Sequence, residues 1–150
     1  PDPREIARAV AAAGADAISA IDPFPVLAIE RSEQRQAPTL GTTYGGLSGP
    51  ALKPIALRVV YEIAQVVRIP IIGIGGISSL DDVLDMLAAG ATAVGIVTAA
   101  LADPALPARL ATELAAWCLD HGAASAGELT GTALPQQRDR GSLRTSQYRL

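Results

Sequence analysis

Three short, almost wholly apolar runs alternate with helical stripes along this chain, and that alternation restricts the fold more than any other feature. The runs are residues 16–21 (DAISAI), 70–76 (PIIGIGG) and 93–98 (AVGIVT). Each is short and flanked by Gly or Pro, which marks a buried strand. Residues 4–13 place Ile6, Ala7 and Val10 on one helical face before Gly14 stops the pattern. Residues 55–67 carry apolar side chains at 55, 56, 59, 60, 63, 66 and 67, a strong helical stripe. Helices are also expected over residues 80–89, stopped by Gly90, and over 107–119, breaking at His121-Gly122. Ser78-Ser79 are N-cap candidates for the first of these, and Asp81 and Asp82 suit its positive first turn. Continuous apolar strands joined by helical crossovers imply a parallel sheet covered on both faces. A doubly wound sheet and a (β/α)8 barrel both satisfy this pattern. Three strands cannot close a barrel of about eight, so in the barrel reading the other strands lie before Pro1.

The remaining segments carry less periodicity. Residues 26–29 read as a short strand or a helical turn, 30–38 as a polar stretch, and 41–50 as a glycine-rich loop. An excursion of this length between regular elements usually carries function. Residues 1–134 are expected to form one partial domain, and the polar residues 135–150 a disordered tail. The chain opens Pro1-Asp2-Pro3 and its one methionine is Met86, so it reads as a piece of a longer protein. An isolated parallel sheet of this kind exposes apolar edges, which predicts poor solubility.

Composition narrows the partners. Hydrophobic residues make up 49% and aromatics 3%, so the core must be built from Ala, Val, Ile and Leu. A net charge of −3 leaves no basic footprint for nucleic acid. No run approaches the roughly 18–20 apolar residues of a membrane span, and no signal peptide is visible. The cytoplasm is the simplest compartment. Cys118 stands alone, so it forms no internal disulfide or thiolate metal site and reads as a small buried hydrophobe. His121 reads as a helix-end cap or an exposed side chain.

Three clusters can carry chemistry. Gly75-Gly76 follows a strand and precedes a helix, where absent Cβ atoms and free N–H groups admit a phosphate. Such glycines also serve simply as tight turns. Thr98 ends the next strand and offers a hydroxyl and an N–H to the same point; its other reading is a β-branched residue packing a strand end. Barrels often build phosphate sites from two adjacent late junctions of this kind. The third cluster, Gly45-Gly46-Leu47-Ser48-Gly49-Pro50, lets backbone pass close to a flat ligand, or is a flexible turn.

Residues 45–99, from GGLSGPALKP through PIIGIGGISS to AVGIVTA, resemble dihydroorotate dehydrogenase of the class 1B catalytic-subunit type. Weaker similarity extends to residues 4–21 and 128–133. The resemblance implies the C-terminal part, about strands 6–8, of a (β/α)8 barrel with FMN across its mouth. It implies that Ile21 packs near the flavin, that the Ser48-Gly49 pair contacts FMN, and that Gly75 and Gly76 bind its phosphate through N–H groups. Where the family has Gly-Thr as the next phosphate pair, this chain has Val97-Thr98; Val97 still has an N–H to donate. Where the family has Asn-Thr against the substrate, this chain has Asp22-Pro23. An ionised Asp only accepts hydrogen bonds and Pro has no N–H, so Asp22 bears on which substrate is held.

The activity implied is FMN-dependent oxidation of dihydroorotate to orotate in pyrimidine biosynthesis. Electrons would leave through an iron–sulfur, FAD-containing partner subunit to NAD, and the full-length protein would be a homo-oligomer. The catalytic base, a Cys in class 1, and the flavin-contacting Lys are expected before Pro1, leaving no catalytic or metal-ligating residue here. Lys53 falls in the family-like Lys-Pro step and is expected to position the following helix. Two other readings stand beside this one: an FMN barrel acting on another reduced pyrimidine or other substrate, and a non-catalytic or incomplete fragment that binds FMN or phosphate.

Overall fold

The computed structural model of the chain describes residues 2–21, 23–33 and 35–135. The expected tail, apart from Pro135, lies outside the described residues, as does Asp22. Helix α1 (Pro3–Ala12) is capped by Asp2, whose carboxylate accepts from the Arg4 N–H, and leads to β1 (Ile18–Ala20). Strands β2 (Phe24–Val26), β3 (Ile29–Arg31), β4 (Gln36–Pro38) and β5 (Gly45–Leu47) follow. A 3-10 turn (Pro50–Leu52) runs into α2 (Lys53–Ala64), then β6 (Ile71–Ile74) and α3 (Leu80–Ala88). The rest comprises β7 (Ala93–Gly95), α4 (Thr98–Ala102), α5 (Leu106–Asp120) and a 3-10 turn (Ala126–Leu129).

The three apolar runs form one parallel sheet in the order β1-β6-β7, with Ile18 opposite Ile71 and Ile72 opposite Ala93. Alternation along β6 divides its faces. Ile71 and Gly73 point into the helices, where Met86 is fully buried in the space that a side chain at Gly73 would occupy. Ala56, Val60 and Ile63 of α2 and Val83, Met86 and Leu87 of α3 complete this aliphatic core. Ile72, on the opposite face, is 37% exposed. The helix-facing side is closed; the other is open.

Two departures from the sequence reading are instructive. Residues 24–47 contain two antiparallel ribbons, β2–β5 and β3–β4, where the sequence offered only a short strand or helical turn at 26–29. The third run stops pairing at Gly95, and Thr98 begins the short helix α4. His121 caps α5 with its ring stacked on Trp117, and Cys118 is buried. Among the described residues no helix is long and apolar enough to cross a membrane.

Among the described residues β1 and β7 are edges of this sheet with one unpaired side each. Open apolar edges template pairing with other chains. Size-exclusion chromatography of the 150-residue chain is therefore expected to show association. A monomeric species with one sharp unfolding transition would contradict this.

Candidate cofactor site

Parallel strands end at the same edge of their sheet, and that edge is where α/β proteins bind ligands. Here the residues following β1, β6 and β7 line one cavity of about 500 Å³, within the usual range for small-molecule sites. Ile21 enters from β1, Gly75 and Gly76 from β6, and Val97 and Thr98 from β7. Ser48 and Gly49 arrive by another route. The β2–β5 ribbon pairs Phe24 with Leu47, returning the chain to the end of β1. Gly46 permits this fold-back, because a Cβ there would sit 2.5 Å from the Pro23 Cβ. The seven candidate residues thus share one space. Asp22, expected against the substrate, lies outside the described residues; its neighbour Pro23 lines the cavity.

No charged side chain lines the cavity among the described residues. Its polar groups are backbone amides and the hydroxyls of Ser48, Ser78 and Thr98, set among Ile21, Ile74 and Ile96. Gly75 and Gly76 have φ values of 130° and 73°. Among the described residues their N–H groups have no backbone acceptor, and neither do those of Val97 and Thr98. Donors of this kind on two adjacent strand ends, with no described carboxylate lining the cavity, suit an anion.

The glycines also have a packing role. A Cβ at Gly76 would lie 2.7 Å from the Lys53 nitrogen and 2.8 Å from the Gly49 carbonyl oxygen. At Gly75 it would meet Ala56, 2.8 Å away. The missing side chains let the turn press against the start of α2. The positive φ values, which only glycine adopts freely, complete the turn that lines the cavity.

Asp82 is the residue the sequence reading placed but undervalued. It is 9% exposed and closes a capping box with Ser79. Its Oδ2 accepts from the Ser78 N–H at 2.9 Å, the Ser78 hydroxyl at 3.1 Å and the Ser79 N–H at 2.9 Å. Its Oδ1 pairs with the Lys53 ammonium at 2.5 Å, and Asp85 joins Lys53 at 2.7 Å. Burial pushes the Asp82 carboxyl up, but the Lys53 ammonium and the serine donors outweigh it and hold it at about 2. Asp82 and then Asp85 raise the Lys53 ammonium above its ordinary value. The Ser79-x-x-Asp82 spacing marks the helix start; nothing local marks Lys53 as its partner.

A parallel strand–helix layer with a cavity at the strand ends fits a segment of a (β/α)8 barrel. Two crystal structures of DHODH from Eimeria tenella share the architecture. The ligand-free one gives a TM-score of 0.70 at 26% identity, covering 89% of this chain and 36% of that one. The ferulenol complex gives 0.69 at 25%, covering 89% and 35%. The dihydroorotate dehydrogenase sequence family matches residues 2–117. The dihydroorotate dehydrogenase B (NAD(+)) catalytic subunit of Trichlorobacter lovleyi is 44% identical over 127 residues, 85% of this chain and 41% of the relative. That of Porphyromonas gingivalis is 47% identical over 131 residues, 87% and 42%. The chain belongs to the dihydroorotate dehydrogenase family, and it spans about two fifths of the length of the curated relatives it matches.

Proposed function

We propose that this chain forms the cofactor-phosphate side of an FMN-dependent dihydroorotate dehydrogenase, which oxidises dihydroorotate to orotate in pyrimidine biosynthesis. The observation that carries the reading is the pair of strand ends whose amides, without a backbone acceptor among the described residues, line one cavity in which no described charged side chain lies. In it the N–H groups of Gly75, Gly76, Val97 and Thr98 hold the phosphate, with the Thr98 hydroxyl beside them. Ile21 and the Ser48-Gly49 pair flank the flavin ring, and the apolar walls exclude water from it. FMN, when bound, supplies the electron acceptor for oxidising a carbon–carbon single bond. Among the described residues no side chain lining the cavity is a strong base, and this reading assigns proton removal to a residue of the whole protein that precedes Pro1. Asp22, outside the described residues, is the residue this reading assigns to the substrate.

The names of the Trichlorobacter and Porphyromonas relatives, each a catalytic subunit of an NAD(+) enzyme, support a partner subunit and electron transfer to NAD; iron–sulfur and FAD groups on that partner are part of the proposal. A cytoplasmic homo-oligomer of the full-length protein fits the same reading. Purification of the whole protein is expected to yield a yellow preparation with a flavin spectrum that bleaches on adding dihydroorotate. A colourless protein that takes up no FMN would contradict the cofactor assignment. Bleaching by another reduced pyrimidine, and not by dihydroorotate, would overturn the substrate while leaving the cofactor.

A further inference from the structure

Lys53 does not line the cavity, yet it touches the turn that does, twice. Its backbone nitrogen lies against Gly76, 2.7 Å from where a Cβ would stand. Its ammonium reaches Asp82, whose other oxygen gathers the Ser78 N–H and hydroxyl and the Ser79 N–H. The Gly75-Gly76 turn is thereby held at both ends. Upstream it rests on the first residue of α2, and downstream it is tied through Asp82 to that same residue's side chain. Asp85 takes a further share of the ammonium. One cation facing two carboxylates brings no net positive charge to the cavity, so Lys53 is not a counterion for an anion there.

Resting on the FMN reading above, we propose that the Lys53–Asp82 pair is a positioning strut that aims the Gly75 and Gly76 amides at the cofactor phosphate. Neither residue contacts the ligand. The strut acts on the phosphate end: Ile21 reaches the cavity from the end of β1 and Ser48 from the end of β5, whereas Lys53 and Asp82 brace the Gly75-Gly76 turn.

That restriction gives the test. Dissociation constants are measured for FMN and for riboflavin, which lacks the phosphate, by fluorescence quenching on the whole protein. The wild type is expected to prefer FMN. Lys53→Met should weaken FMN about tenfold or more, the scale expected when a positioned group drifts, while riboflavin stays within about twofold by the same argument. Lys53→Arg, which still reaches Asp82 with a cation, should restore most of the preference. Asp82→Asn retains an oxygen for the serine donors but turns an amide on Lys53, and it should behave like Lys53→Met. An unaltered FMN preference in both Lys53→Met and Asp82→Asn would overturn the strut. So would equal losses of FMN and riboflavin, which mark a general packing defect. A wild type that binds both ligands alike would remove the phosphate site itself and the strut with it.

Discussion

Replacing Gly76 with Val is expected to abolish flavin retention, lowering FMN affinity by roughly a hundredfold or more. The new Cβ would stand within 2.8 Å of two backbone atoms, the Lys53 nitrogen and the Gly49 oxygen. Neither can swing aside as a side-chain tip would. A left-handed φ of 73° adds about 1–2 kcal/mol for any residue with a Cβ. The turn must therefore move, and its amides move with it. Charge-assisted hydrogen bonds contribute about 1.5–3 kcal/mol each, so losing two accounts for the drop. Gly14→Ala is the control. Its φ is 91° and a Cβ there meets nothing within 4 Å, so it carries the backbone cost without the collision. FMN binding should survive in that variant. Unchanged flavin retention in Gly76→Val, measured by absorbance after gel filtration, would contradict the site assignment.

Asp82→Ala is expected to destabilise the fold by about 3 kcal/mol at neutral pH, the cost of stranding one partner of a shielded ion pair. The variant strands the Lys53 ammonium on Asp85 alone and leaves three serine donors without their acceptor. The pH dependence has a definite sign. The folded carboxyl titrates at about 2 against 3.8 for the ordinary group. Its contribution of about 2 kcal/mol is therefore complete above the unfolded value and is lost as pH falls from about 4 through 2. The raised Lys53 ammonium contributes fully below its ordinary value of 10.5 and is lost only as pH rises through its folded value. Chemical denaturation of wild type and variant should thus differ by a constant amount from about pH 5 to 9 and converge in acid. A gap that persists undiminished at pH 2 would show that the carboxylate's charge is not what stabilises the turn.

The parallel sheet and its helices were legible because burial on both faces writes itself into short apolar runs, and amphipathic packing into a 3.6-residue stripe. The β2–β5 and β3–β4 ribbons were not. Each strand has three residues, two contain proline, and most of their side chains are exposed, so no alternation marks them. Helix α4 escaped because Thr98-Ala99-Ala100-Leu101-Ala102 continues the apolar run of β7 without a breaker. At the site, the glycine pair was readable as a strand–helix junction from its position alone. The direction in which its missing side chains would point depends on α2 packing and was not readable. Lys53 and Asp82 stand 29 residues apart in sequence, and only the α2–α3 contact joins them.

A crystal structure of the whole protein with FMN tests the central claim most directly. The phosphate is expected within about 2.7–3.2 Å of the Gly76 and Thr98 nitrogens, with the flavin ring lying toward Ile21 and Gly49. A phosphate seated elsewhere, with those amides bonded to water or to protein atoms, would contradict it.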